Sequence, residues 1–392
     1  MIPAPITALR ARADELRDLL IRWAHINSGS EHIAGLARMR AALAEAFATL
    51  PGVEISSVTL AGSEEQALRV RCRPDAPRQI LLSGHYDTVY APTHPFQRCE
   101  LVDPHTLRGP GVADMKGGLV VMLAALQTLE QLPAAKRIGW EALLTPDEEI
   151  GSAASAPVIT ETARRHRLGL VFEPARGNGD LVHSRKGTGN FTLTCHGRAA
   201  HAGRVPNDGR NAIVALAEIL PAVHRLPEEI PGLLLNVGRI EGGGALNVVP
   251  DRAVAGLNIR TTRVGDGDRA LARLRELAAT IGAREGFRAE LAGHFDSPPK
   301  ECGPVEEAVF AAWRQCASDL AVKPFSWVHT GGGSDGNLLS AAGLPNLDGV
   351  GPVGDHLHSE REYCELPTLV ERAQIAALFL HRFASDEVAL PG

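Results

Sequence analysis

Hydrophobic patterning divides this chain into two styles of folding, and that division constrains the architecture more than any other feature. Up to about residue 185, short apolar runs alternate with helical stretches. The periodicity predicts helices over 6–26 and 33–50, a strand over 79–84, a helix over 116–132, a strand over 137–144, a helix over 152–165 and a strand over 168–172. In the first of these, Leu9, Leu16, Leu19, Leu20 and Trp23 fall near one face. Alternation of this kind reads as an α/β layer with a mostly parallel sheet, because parallel strands need a crossover and a helix supplies it. Between 186 and 297 the pattern changes. Runs such as GNFTLTCH (189–196) alternate every second residue, which leaves one sheet face exposed or free for pairing. Strands are expected there at 189–196, 233–239 and 252–261, with helices at 210–226 and 267–282. After Pro298-Pro299 the first style returns: helix 305–320, strand 325–329, helix 334–342, strand 345–350 and helix 367–383. The expected organisation is a larger α/β domain built from 1–185 and 298–392, interrupted by an inserted α+β domain over 186–297.

Composition narrows the function classes. The 392 residues are 44% hydrophobic and 22% charged, with a formal net charge of −6 and no basic stripe, so nucleic acid is not an expected partner. The longest apolar stretch, 117–129, contains Gln127 and falls short of the roughly 20 residues that span a bilayer. The N-terminal segment MIPAPITALRARADELRDLL reads as an amphipathic helix rather than an export signal. Cys72, Cys99, Cys195, Cys302, Cys316 and Cys364 form no Cys-x-x-Cys pair. Free thiols, a reducing compartment and a cytoplasmic location are therefore expected.

Five segments bring a histidine or a carboxylate to a strand end of the larger domain. SGHYDTV carries His85 and Asp87 at i and i+2, on one face of an extended chain. GPGVADMKGG carries Asp114 before a helix, LLTPDEEIGS carries Glu148 and Glu149, LVFEP carries Glu173, and GDHLHSERE carries His358. Ligands of open α/β sheets gather at the carboxyl ends of strands. Two imidazoles and three carboxylates suit zinc. They exceed what one catalytic zinc uses, and fit two metals sharing a bridging carboxylate. The crowded acids Asp147, Glu148 and Glu149 repel one another unless cations offset their charge. One of the two glutamates can then bind metal while its neighbour serves as general base. Asp147 reads as a turn residue.

These segments, with CHGRAAHAG, GGGALNVVPD and TGGGSDG, resemble the aminoacylase/carboxypeptidase-G family of two-zinc metallohydrolases. That family includes glutamate carboxypeptidase, acetylornithine deacetylase and succinyl-diaminopimelate desuccinylase. The resemblance runs in order from about residue 80 to 360. It implies a zinc-peptidase-like fold in which His85 and Glu173 bind one zinc, Glu149 and His358 the other, and Asp114 bridges both. It implies Glu148 as general base and Asp87 as the acid that orients His85. The inserted domain resembles the family's lid and dimerisation domain. There His201 resembles a histidine that reaches the partner subunit's active site and steadies the oxyanion. Asn247 and Arg260 resemble substrate contacts, with Arg260 gripping a carboxylate, Lys186 assisting, and the backbone of Gly331, Gly332 and Gly333 approaching the substrate. The expected activity is that of a dinuclear zinc-dependent amide hydrolase, a homodimer acting on a small peptide or N-acyl amino acid, with cobalt or manganese as possible substitutes. A glutamate-carboxypeptidase-like exopeptidase releasing a C-terminal amino acid is preferred, and an N-acyl-amino-acid deacylase is the alternative.

His356 lies two residues before His358, so on an extended chain both would face the metals; His358 is preferred because it directly precedes a serine in a short acidic motif. Gly332 to Gly336 fit Gly-x-Ser-x-Gly, and Ser334, Asp348 and His358 follow the order of an α/β-hydrolase triad. A serine hydrolase would leave His85, Asp114, Glu148, Glu149 and Glu173 unexplained. A catalytically silent binding relative would need a lost ligand or base, and none is lost. The glycine runs lack the Gly-Lys-Ser/Thr ending of a phosphate loop.

Overall fold

The computed structural model describes residues 1–388. The chain divides into two compact units. The first comprises Met1–Ser184, Cys302–Thr330 and the residues from Ser334 on; the second comprises Arg185–Glu301 with Gly331–Gly333. The sequence placed the crossings near 185 and 297. The glycines join the second unit because their carbonyls accept hydrogen bonds from its arginines: Arg260 to Gly331, and Arg185 to Gly332 and Gly333.

In the first unit an eight-stranded sheet runs in the order Val53–Thr59, Gln66–Cys72, Gly139–Thr145, Gln79–His85, Leu168–Val171, Asn346–Asp348, Leu181–Arg185 and Trp327–Thr330. The four central strands, from Gly139–Thr145 to Asn346–Asp348, are mutually parallel. They read as continuous apolar runs because both their faces are covered. The edge hairpin Val53–Thr59 and Gln66–Cys72 is antiparallel and absent from the expectation. Its outer strand alternates between exposed and half-buried positions, a weaker signal than a buried run. A small antiparallel sheet, also unforeseen, joins Glu100–Asp103 and Thr106–Arg108 to Gly354–Asp355 and Tyr363–Glu365.

Helix Lys116–Leu129 is buried at every position except Gln127. A helix apolar on all sides belongs in a core. Its backbone lies hard against the strand that precedes Glu173: a Cβ on Gly118 would meet the Phe172 carbonyl oxygen at 1.9 Å. The helix expected over 152–165 is shorter, Ala156–Ala163. Pro157 accounts for the late start, since proline fits only the first turn. The helix expected over 6–26 is Ala4–Ala8 and Ala13–Ala24, joined by a tighter 3-10 turn at Leu9–Arg12. Pro367 sits in the first turn of the last helix, Leu366–Ala384, as expected. No described helix is long and apolar enough to cross a membrane.

The second unit holds a four-stranded antiparallel sheet in the order Leu234–Gly242, Arg252–Thr261, Gly187–His196 and Arg288–Ser297. Phe191, Leu193, Cys195, Ala253, Ala255, Leu257 and Ile259 form a core with helices Ala212–His224 and Asp266–Gly282. The period-two pattern therefore reports a sheet covered by helices on one face. Asn211 caps the first helix by accepting from the Val214 N–H at 3.1 Å.

Candidate metal centre

His85 is the last residue of strand Gln79–His85 and is 1% exposed. Its Nδ1 lies 3.1 Å from Asp87 Oδ1, and its Nε2 lies 3.1 Å from Asp114 Oδ1. The i, i+2 spacing thus places one acid behind the ring, while the other nitrogen faces the acid cluster. Asp87 is fully buried and does more than touch His85. It also accepts from the Glu148 N–H at 3.2 Å, the Glu149 N–H at 3.1 Å and the Ser30 hydroxyl at 2.8 Å. One carboxylate therefore ties the His85 strand end to the turn that carries both glutamates.

Asp114 follows a glycine-containing turn and directly precedes Met115 and helix Lys116–Leu129. Its two oxygens face different partners: Oδ1 faces His85, and Oδ2 lies 3.3 Å from His358 Nε2. His358 Nε2 is also 2.9 Å from Glu149 Oε2. On the other side, Glu173 Oε1 lies 3.6 Å and Glu148 Oε2 4.0 Å from His85 Nε2. Tetrahedral coordination with bonds of about 2.0–2.1 Å requires donor–donor edges of about 3.3–3.4 Å. The observed separations bracket that value, and the donors are imidazole nitrogens and carboxylate oxygens. The residues present therefore fit divalent cations. Two overlapping groups satisfy ligand spacing, His85 with Glu148 and Glu173, and His85 with Asp114 and Glu149.

The three adjacent acids separate in direction. Asp147 turns inward and accepts from the backbone N–H of Ala154 at 2.9 Å and of Ser155 at 3.2 Å, and from the Ser155 hydroxyl. Glu148 and Glu149 begin a one-turn helix, Glu148–Ile150, and face the cluster. Gly151, with φ of 95°, ends that turn in a conformation that favours glycine.

The electrostatics record the crowding. Burial raises Glu148 well above the carboxylate range; His85 opposes this, while Glu173 and Asp335 add to it. Burial and the Asp114 charge raise Glu149 against the pull of His358. Burial alone would lower His85, but hydrogen bonds to Asp114 and Asp87 hold it well above its ordinary value. Bonds to Asp114 and Glu149 raise His358 to about 11. Asp114 is lowered, since its two imidazole partners outweigh its burial.

The expectation that His356 and His358 share a face does not hold. Both take left-handed φ, 57° and 59°, so the loop is not extended. His358 turns to the carboxylates, whereas the His356 ring lies 6.0 Å from that of Tyr363. The hydrolase triad is not assembled. The Ser334 hydroxyl donates directly to Asp348 at 2.9 Å and accepts from the Gly336 N–H, capping helix Asp335–Ala341.

The remaining expected residues lie in the second unit. His201 is exposed and accepts from the Gly203 N–H at Nδ1, and its backbone bridges to Val248. The Asn247 carbonyl accepts from Ala202, so those two segments run side by side. Arg260 Nη1 donates to Gly331 O at 2.8 Å. Lys186 precedes strand Gly187–His196 and is half-buried, and Gly332 and Gly333 receive Arg185.

Three buried residues escaped the sequence reading. Arg185 is one. Asp335 accepts from Thr145 Oγ1 at 2.8 Å and Ser152 Oγ at 2.5 Å, at either end of the Glu148 turn. Glu362 binds the Asp114 turn. Arg185 directly precedes Lys186, Asp335 lies in TGGGSDG and Glu362 in GDHLHSERE, but nothing local marks any of them as a clamp.

Comparison with known proteins places this geometry in context. The pattern of Peptidase family M20/M25/M40 matches residues 81–382. Carboxypeptidase G2 of Pseudomonas sp. (strain RS-16) is 28% identical over 308 residues, covering 76% of this chain and 72% of that protein. Succinyl-diaminopimelate desuccinylase 2 of Shewanella loihica is 28% identical over 330 residues, covering 79% and 86%. Among solved structures, the Bacillus subtilis YXEP protein, described as a dinuclear metal-binding peptidase from the M20 family, shares the fold. Its TM-score is 0.71 at 16% identity, over 97% of this chain and 100% of that one. With its fold, its strand-end acids and most of its length accounted for, the chain belongs to Peptidase family M20/M25/M40 and is an amide-bond hydrolase.

Proposed function

We propose that this enzyme is a dinuclear metallohydrolase, an exopeptidase that releases a C-terminal amino acid from a small peptide. The observation that carries the reading is the posture of Asp114, whose two oxygens address two different imidazoles, each with a further carboxylate beside it. We assign His85 and Glu173 to one cation, Glu149 and His358 to the other, and Asp114 to both. When bound, divalent cations, zinc in our reading and cobalt or manganese as substitutes, supply Lewis acidity and offset the charge of the acids.

The chain's own residues do the rest. Asp87 accepts the Nδ1–H of His85, which fixes the tautomer and turns the Nε2 lone pair to the centre. Glu148 takes a proton from the attacking water and later gives it to the leaving nitrogen. A carboxylate raised by burial is a stronger base than a free one, which suits that double duty. The roles of His201 at the oxyanion, Arg260 at the substrate carboxylate, and Asn247, Lys186, Gly332 and Gly333 around the substrate enter the proposal on the family resemblance alone. So does a homodimer through the second unit.

An N-acyl-amino-acid deacylase is the second reading, favoured by equal identity to a desuccinylase and to a carboxypeptidase. A hydrolysis screen on zinc-loaded enzyme separates them, with peptides ending in glutamate set against N-acetyl and N-succinyl amino acids. The mechanism is tested by Glu148→Gln. Activity should fall by more than about 100-fold while two metals per chain remain bound. Near-normal turnover with both metals in place would remove Glu148 from the role.

A further inference from the structure

A second layer of buried acid stands behind the proposed ligands. Glu362 is 1% exposed. Its Oε1 accepts from the backbone N–H of Ala113 at 3.0 Å and of Asp114 at 3.1 Å. Its Oε2 accepts from the Gly111 N–H at 3.1 Å and lies 2.9 Å from the Tyr90 hydroxyl. That hydroxyl is also 2.9 Å from the Ser359 carbonyl oxygen. The Glu362 carbonyl in turn receives the Gly109 N–H at 3.2 Å.

Two loops meet at this one side chain. Gly109 to Asp114 form the turn that delivers Asp114. Glu362 and Ser359 belong to the loop that delivers His358, four residues upstream of Glu362. The strands next to these loops, Thr106–Arg108 and Tyr363–Glu365, pair with each other, and beyond that pairing three backbone donors of the Asp114 turn converge on the single Glu362 carboxylate. A buried acid next to Asp114 is unfavourable by like-charge repulsion and desolvation. Bulk packing would be met better by an apolar side chain. A neutral acceptor could satisfy one or two of the N–H groups, but only a carboxylate accepts on both oxygens.

We propose that Glu362 is a positioning residue that fastens the Asp114 turn to the His358 loop, and so sets the 3.3 Å separation of Asp114 Oδ2 and His358 Nε2. The proposal rests on the two-metal reading above and predicts an asymmetry within it. His85 and Glu173 follow strands that Glu362 does not bind. The cation assigned to Glu149 and His358 therefore depends on Glu362 more than its neighbour does.

The test uses Glu362→Gln in the full chain, near wild-type in volume. Its amide must oppose at least one N–H of the turn, because Tyr90 alone among the four donors can rotate its hydrogen away. Cobalt is titrated into metal-free protein and followed by visible absorption, with chelator competition for affinities. Wild type should bind two cobalt ions. The variant should hold one within about threefold of wild type and bind the other about 10–100-fold more weakly. Equal affinities for both ions in variant and wild type would overturn the positioning role. So would equal weakening of both together with a lower metal-free melting temperature, the mark of general destabilisation. If Glu362→Gln fails to fold, Tyr90→Phe takes its place and should weaken the same ion selectively by several-fold; no change there also overturns the role. A wild-type chain binding fewer than two ions would instead sink the two-metal reading, and this inference with it.

Discussion

Replacing Asp87 by asparagine changes one atom and tests how the centre is held. Asp87 Oδ1 accepts from His85 Nδ1 and the Glu148 N–H, and Oδ2 from Ser30 Oγ and the Glu149 N–H. An amide NH2 at the Oδ1 position would oppose two donors, one of them the imidazole N–H that fixes the His85 tautomer. At the Oδ2 position it would oppose only the Glu149 N–H, since the Ser30 hydroxyl can rotate and accept. The second orientation is the cheaper. It strands one buried N–H, at about 1–3 kcal/mol. It also turns the charge-assisted bonds at Oδ1 into neutral ones of roughly half the strength. Loss of a negative charge beside Glu148 and Glu149 works in the opposite direction in the metal-free chain, where those acids lack cations. Metal-free stability should therefore move less than the hydrogen bonds alone suggest. With cations bound that relief vanishes, and the full cost appears as affinity. Zinc binding by chelator competition should weaken about 10–100-fold, or about 1.4–2.7 kcal/mol. The rise in melting temperature on adding zinc should shrink accordingly. Zinc affinity within about twofold of wild type, with an unchanged thermal gain, would refute the account of Asp87 as the link between His85 and the Glu148 turn.

Metal uptake should also expel protons. Folding raises His358 to about 11, so it holds its second proton at pH 7, and the acids beside His85 raise that imidazole in the same direction. Metal ligation needs neutral imidazoles, so calorimetry in buffers of different ionisation enthalpy should show proton release; no buffer dependence would contradict it. By the same sign, what these pairs add to metal-free stability is fully present between the unfolded carboxylate and histidine values, about pH 4 to about 6.5. It is lost as pH rises through the folded values, about 11 for His358. Ser334→Ala should leave turnover within about twofold and lower stability by about 1 kcal/mol through the lost helix cap; loss of activity without unfolding would revive Ser334 as a nucleophile.

Much of the candidate site was legible in the sequence. His85 and Asp87 fall on one side of a strand end by simple alternation, and a continuous apolar run announces a covered strand. The acids at 148 and 149 follow such a run directly. Those inferences depend on neighbours within a few positions. The failures depend on distant ones. The small sheet pairs Thr106–Arg108 with Tyr363–Glu365, and no local period reports a partner so far along the chain.

The sequence by itself marked the candidate ligands and the strand ends expected to carry them, because residue type and period-two geometry are local properties. Only the tertiary structure decided how those residues face one another. His358 rather than His356 reaches Asp114 because the loop is not extended there, so the two side chains no longer share a face. Asp147 faces the protein, not the site, because the N–H groups of Ala154 and Ser155 claim its oxygens. Glu362, Asp335 and Asp87 became clamps only when folding brought them unpaired donors from other segments. The physical reason is the same in each case. A buried polar group must find its partner wherever the chain has placed one, and that address is written in the packing.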